Sequence, residues 1–288
     1  MSDRLRVGLV GAGPWARMAH APALAGGSDT ELAGVWARRT EAAEELGGRF
    51  GAPAFGRLEE LFDACEAVAF CVPPDVQAEL ASHAVRAGKA VLLEKPLAME
   101  LDGARRLADA VAEAGVVSQM VLTARYAAAT REFLTQARAV RPMGGVGVFT
   151  GSLADGPFAT PWRLERGALL DLGPHLVDLL DAALGRVVAV RAQGDPLGWV
   201  ALTLEHESGA LSQAGMTAFA GGSLPAPRIE VFGPGGHARL AWPEALEEPF
   251  ARMVAEFAAA VRTGEGHPLD ARHGLRLQEL LTEAQAQL

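Results

Sequence analysis

The first third of the chain alternates between two hydrophobic periods. RVGLVG (6–11), ELAGVW (31–36), AVAFCV (67–72), KAVLLE (89–94) and VVSQMVL (116–122) are short runs dominated by apolar residues. Runs of that length without a polar face predict strands covered on both sides. Between them, spacings of three and four predict helices around 15–25, 40–50, 76–87 and 100–114. Strand and helix in alternation predict an α/β fold with a doubly wound parallel sheet.

After residue 122 the rhythm changes. A helix at about 127–139 precedes the Gly-rich strand start GGVGVFTGSL, and a single helix is expected over 168–184. VVAVRAQ, WVALTLEHE, ALSQAGMTAF, RIEVFG and HARLAW then follow with no helix between them. Strands joined by turns predict an α+β domain with an open, mostly antiparallel sheet. Helices over 248–262 and 270–286 end the pattern. The expected domains are therefore 1–122 and 123–288.

Composition narrows the classes of partner. The chain has 288 residues, half of them apolar, and a formal net charge of −9. With no long basic run, nucleic acid and anionic membrane are not expected as partners. No apolar run approaches a membrane span, and MSDRLRVGLVGAG lacks a signal-peptide layout. Cys65 and Cys71 lack metal-ligand spacing and imply no disulfide framework, which fits a reducing, cytoplasmic location.

The first candidate chemistry is G-x-G-x-x-A, with Gly11, Gly13 and Ala16 directly after the first strand and Pro14 and Trp15 inside the motif. Gly11 would make the tight turn, Gly13 would let a pyrophosphate approach the backbone, and Ala16 would allow close helix packing. The following helix N-terminus would add N–H groups and the positive end of a dipole. At the end of the second strand, where an acid would select NAD, stand Ala37, Arg38, Arg39 and Thr40. Two guanidinium groups and a hydroxyl suit the 2′-phosphate of NADP. A solvated basic turn is the alternative.

Two further stretches carry ionisable groups in apolar surroundings. AVLLEKPLAME places Glu94, Lys95 and Pro96 at the mouth of a buried strand. A lysine there needs a partner, and a cis Lys95–Pro96 bond is expected to help aim it. In ALLDLGPHLVDLL, one continuous helix would set Asp171, His175 and Asp178 within about 60° of one another. That stripe reads as an acid-imidazole pair for proton transfer, as an ion pair holding a structural histidine, or as part of a metal site. No other His, Cys or acid cluster completes a metal site, so no metal is expected.

GLVGAG, CVPP, EKP and LLDLGPHLVDL, in that order, resemble the Gfo/Idh/MocA family of oxidoreductases. The resemblance implies an N-terminal Rossmann domain for NAD(P) and a C-terminal domain that holds substrate. It also implies homo-oligomers, dimers or tetramers, formed through the C-terminal sheet. The family's catalytic lysine falls on Lys95, and its Asp and His on Asp171 and His175. The implied substrate is a sugar, cyclitol, related polyol or ketone. Pro73 and Pro74 are expected to shape the loop beneath the cofactor, and Glu94 to fix its own loop or touch the cofactor. Tyr126, beside Arg125, and Arg163, on an expected loop, are candidates for substrate contact. Tyr126 also has a hinge-packing reading, and His20 reads as a packing or hydrogen-bonding residue. Gln77 stands where many members carry histidine, Arg166 where a glycine is common, and the chain is short for the family. The expected function is NADP-dependent hydride transfer to or from a secondary alcohol or ketone. A nicotinamide-dependent glycosidase and a non-catalytic NADP(H) sensor are the alternatives.

Overall fold

Strands β3 (Ala67–Phe70) and β4 (Ala90–Leu93) are buried at every position, and β1 (Leu5–Val10) at all but Arg6. Apolar burial on both faces is what a central parallel strand requires. The computed structural model describes residues 4–153, 156–242 and 245–288. With β2 (Thr30–Trp36) and β5 (Ser118–Met120), these strands form a parallel sheet ordered β2-β1-β3-β4-β5. The order reverses between β1 and β3, so the loops leaving β1, β3 and β4 open on the carboxyl edge at a switch point. That is where open α/β sheets bind ligands.

The connecting helices follow the sequence pattern closely. After β1 the chain forms a π-helical segment (Ala16–His20) continuing into α1 (Ala21–Gly26). Helices α2 (Thr40–Phe50), α4 (Pro74–Arg86) and α5 (Leu101–Ala114) lie within a residue or two of expectation. Helix α3 (Leu58–Ala64) was not expected. Its signal is present nonetheless: Leu58, Leu61 and Phe62 are buried, and the Glu60 carboxylate accepts the Arg57 N–H at 3.3 Å.

The division of the chain differs from the expected break at 122/123. One unit comprises residues to Thr123 together with Ala245–Leu275, and the other Ala124–Glu244 with Arg276–Leu288. Helix α9 (Glu247–Thr263) belongs to the first unit because its apolar side is used there. Phe250, Met253, Val254, Phe257 and Ala258 are buried, and the Met253 carbonyl accepts from Gln119 Nε2 at 2.9 Å. Met120 N–H bonds to the Leu269 carbonyl at 2.7 Å, and Ala271 N–H to Ser118 Oγ at 3.0 Å. Burial and backbone satisfaction, rather than sequence order, set the boundary.

The second unit holds a six-stranded sheet ordered β11-β10-β6-β9-β8-β7. Its strands are β6 (Gly144–Thr150), β7 (Val187–Gly194), β8 (Val200–His206), β9 (Leu211–Thr217), β10 (Arg228–Gly233) and β11 (Gly236–Ala241). Only β6 and β9 pair in parallel; the other pairs are antiparallel. Along β8, Val200, Leu202, Leu204 and His206 point inward while Ala201 and Glu205 face out. That alternation gives a sheet with one packed face. Helix α6 (Ala128–Val140) also belongs to this unit.

The helix expected over 168–184 is two helices, α7 (Pro161–Asp171) and α8 (Gly173–Leu184), which meet at Leu172. Within α7, Gly167 leaves helical geometry with φ of +71°, and a Cβ there would sit 1.9 Å from the Pro196 carbonyl oxygen. Only glycine fits that close approach. Helix α10 (Ala271–Gln285) runs close to its expected bounds, and the unit boundary falls within it.

Candidate active site

The Gly motif forms the turn that its spacing implies. Gly11 has φ of +116°, and a Cβ on it would lie 2.2 Å from the Cys71 carbonyl oxygen. A Cβ on Gly13 would meet no protein atom within 4 Å. The bare backbone there faces open space, which is the room a pyrophosphate needs to lie against it. Gly13 and Pro14 are exposed, Trp15 is half-buried and Ala16 is fully buried against the fold. These residues fit a dinucleotide. Arg17, not singled out from the sequence, ties the loop to α2: its Nε donates to the Ala12 carbonyl at 3.1 Å and its Nη2 to Glu45 at 2.8 Å. Hydrogen bonding from Arg17 and its charge hold the Glu45 carboxyl below its ordinary range.

Beyond β2, Ala37 is half-buried, and Arg38, Arg39 and Thr40 are exposed. Thr40 opens α2, so both guanidinium groups stand at the carboxyl edge of the sheet with the start of a helix. Beyond β3, Pro73 is exposed and Pro74 is the buried first residue of α4.

The loop after β4 is fastened from several directions. Gln77, on α4, donates from Nε2 to the carbonyls of Glu94 (2.7 Å), Leu97 (3.0 Å) and Pro96 (3.3 Å). Its Oε1 accepts the Glu94 N–H at 2.8 Å. Gln77, which stands where many family members carry histidine, is a buried clamp on the Lys95 loop. Glu94 Oε1 accepts from Trp15 Nε1 and from His20 Nε2, each at 2.7 Å, and Oε2 accepts the Lys95 N–H at 3.2 Å. An ionised carboxylate only accepts, so Nε2 of His20 carries the proton in this contact. Burial pushes the Glu94 carboxyl upward. The His20 hydrogen bond and charge, the Lys95 ammonium and the Trp15 indole outweigh it and hold Glu94 below the ordinary carboxylate range. Lys95 is half-buried, and the Lys95–Pro96 bond is cis, as expected.

In the second unit, Gly167–Leu180 is buried at every residue except His175, which stays half-buried in the first turn of α8. Phe149 lies beside its ring, centroids 6.2 Å apart. Asp171 is 6% exposed and accepts from Arg163 Nε at 3.1 Å. Arg163 stands in the first turn of α7, not on a loop; it also reaches Thr160 Oγ1 at 3.2 Å and stacks on Trp162 at 4.5 Å. Asp171 ends α7 while His175 and Asp178 lie on α8, and Leu172 between the two helices keeps a right-handed helical backbone with φ of −97° and ψ of −29°. Asp178 is buried and pairs with Arg125 at 2.7 Å, a contact 53 residues apart in sequence. Arg125 is therefore committed to the protein. Tyr126 is fully buried, which supports its packing role over substrate contact. Among the described residues no cluster of three or more His, Cys, Asp or Glu side chains is placed to hold a metal ion. No helix among them is long and apolar enough to cross a membrane.

Residues 5–122 match a family model described as an oxidoreductase family with an NAD-binding Rossmann fold, and residues 131–239 match the GFO/IDH/MocA C-terminal domain. Glucose-6-phosphate 3-dehydrogenase of Bacillus subtilis (strain 168) is 36% identical over 42% of this chain and 34% of its own length. A dTDP-3,4-didehydro-2,6-dideoxy-alpha-D-glucose 3-reductase of Streptomyces violaceoruber is 31% identical over 65% of this chain and 56% of its own. The chain thus spans between a third and just over half of these two curated relatives. The crystal structure of GenD2 from gentamicin A biosynthesis, in complex with NAD, superposes with a TM-score of 0.88 at 24% identity. That match covers 100% of this chain and 95% of GenD2, and at this identity it speaks to the fold. With a Rossmann sheet and a mixed C-terminal sheet each matched by its own family description, the chain belongs to the Gfo/Idh/MocA family of NAD(P)-binding oxidoreductases.

Proposed function

We propose that this protein is an NADP-dependent oxidoreductase acting on a secondary alcohol or ketone of a sugar, cyclitol or related small polyol. The observation that carries the reading is His175, the one half-buried residue in a fourteen-residue stretch that is otherwise buried. An imidazole kept accessible on an apolar helix is suited to move a proton near neutral pH. His175 takes the hydroxyl proton on oxidation and returns it on reduction. The Lys95 ammonium holds the substrate oxygen and stabilises negative charge developing on it. Asp171 orients this end of the site, and Arg163, already held by Asp171, offers its remaining N–H groups to a substrate hydroxyl. Gly11, Gly13, Pro14, Trp15 and Ala16 form the pyrophosphate seat, with Pro73 and Pro74 below it. Arg38, Arg39 and Thr40 take the 2′-phosphate. When bound, the nicotinamide supplies or accepts the hydride.

The named activities of the curated relatives on hexose and deoxyhexose derivatives support the substrate class. Self-association through the second unit's sheet is part of the same proposal. Val188, Leu211 and Phe232 are exposed on strands β7, β9 and β10, and light scattering on purified protein would count the copies.

A panel of sugars and polyols, assayed with NADP⁺ by nicotinamide absorbance, tests the central reading. The expected result is turnover by the wild type that disappears in Lys95→Ala while cofactor binding persists. Free sugar released with no net absorbance change would point to the glycosidase. A protein that binds NADPH and turns over nothing would point to the sensor.

A further inference from the structure

Glu94 is held more fully than a loop residue needs to be. Gln77 already fixes its backbone on both sides, accepting from its N–H at 2.8 Å and donating to its carbonyl at 2.7 Å. The donors to the side chain therefore add little to the path of the chain; they act on the carboxylate itself. Two come from the Gly motif and the π-helical segment that follows it, 79 and 74 residues away in sequence: the Trp15 indole and the His20 imidazole, both on Oε1. Both rings lean edge-on against Phe250, with centroids 5.6 and 5.4 Å away. His20 has no exposed side-chain surface, and its Nδ1 has no hydrogen-bond partner among the described residues. A ring buried only to fill space would not leave a nitrogen unsatisfied, since that costs free energy which an apolar side chain avoids.

We propose that Trp15 and His20 are positioning residues that act through the Glu94 carboxylate on Lys95, keeping a fixed negative charge at the base of the lysine. The proposal rests on the reading of Lys95 as the group that holds the substrate oxygen. The titratable groups acting on Glu94 are His20, from the π-helical segment, and Lys95, from its own loop; α4 presents the Gln77 amide and α9 the Phe250 ring. Burial alone favours the protonated acid, and the two side-chain donors oppose it. Without a donor, Glu94 takes up its proton at higher pH, and the charge beside Lys95 is lost over a wider acid range.

Lys89 and Lys95 are the only lysines in the sequence, so the link is readable without a substrate. Cofactor-free protein is labelled with limiting acetic anhydride, and acetylation at Lys95 is measured by mass spectrometry relative to Lys89, whose Nζ is held by the Cys65 carbonyl at 3.0 Å. In His20→Leu the Lys95 to Lys89 ratio should change by roughly threefold or more, equivalent to about half a pH unit of altered protonation. His20→Gln, which keeps an N–H for Glu94 but not the charge of the imidazole, should change the ratio less than His20→Leu does. The acid limb of the kcat profile should move to higher pH in the Leu variant and by less in the Gln variant. Equal ratios in all three folded proteins, or equal changes in Leu and Gln, would overturn the proposal. If His20→Leu does not fold, Trp15→Phe keeps a ring against Phe250 and removes only the N–H; an unchanged ratio there would overturn it equally. If no polyol is turned over, the functional reading fails, while the labelling still decides whether Trp15 and His20 act on Lys95.

Discussion

The turns that leave β2 and β4 open on the same edge of one sheet, yet they are built on opposite principles. After β2, Arg38, Arg39 and Thr40 are exposed. After β4, Glu94 and Lys95 are half-buried, Gln77 clamps the backbone of Glu94, Pro96 and Leu97, and the Glu94 carboxylate takes three donors. An exposed charged turn selects a ligand by attraction and tolerates substitution without cost to the fold. A buried, fully bonded turn holds a reactive group in place before substrate arrives, and it couples that group to stability. The first should fail in affinity, the second in turnover and folding.

Lys95→Ala should give the largest effect, a loss of roughly a hundredfold to a thousandfold in kcat. NADPH affinity should change little, as equilibrium titration would show. His175→Ala should cost about a hundredfold in kcat and remove one limb of the pH profile. Gln77→Ala would leave the Glu94 N–H and its neighbouring carbonyls without their buried partner. It should lower stability by about 1–3 kcal/mol in denaturant unfolding, a result no substitution after β2 should reproduce. Arg38→Ala should weaken NADPH binding about tenfold, leave NADH binding alone and move stability by less than about 0.5 kcal/mol. A fall in stability there would erase the contrast between the two turns.

The smallest effect concerns pH. Because Glu94 is held below the ordinary carboxylate range when folded, it contributes stability that is fully present above the unfolded value near 4.3. That contribution is lost as pH falls through the lower, folded value. Acid unfolding followed between neutrality and pH 3 should therefore be less steep in Glu94→Gln than in the wild type.

Much of the fold was legible because its strands are continuous apolar runs and its helices keep their period. The Gly turn was legible for a related reason: its geometry is local. What escaped depends on contacts across long stretches of chain. Gln77 acts on carbonyls 17 to 20 residues away, and Trp15 and His20 act on Glu94 across more than 70. The pairing of Asp178 with Arg125 follows the same rule. The single helix inferred over 168–184 spans the junction of α7 and α8 at Leu172, and the close approach of the Pro196 carbonyl to Gly167 comes from a residue 29 positions away in sequence. Helix α3 was available from Leu58, Leu61 and Phe62, but at seven residues it is shorter than periodicity resolves.

The most direct test of the account is titration of the purified protein with NADPH and with NADH, followed by quenching of tryptophan fluorescence; Trp15 stands on the Gly loop itself. Saturable quenching by NADPH, with binding of NADH about tenfold weaker or more, is the expected result. No quenching by either nucleotide, with none retained from purification, would contradict the account at its base.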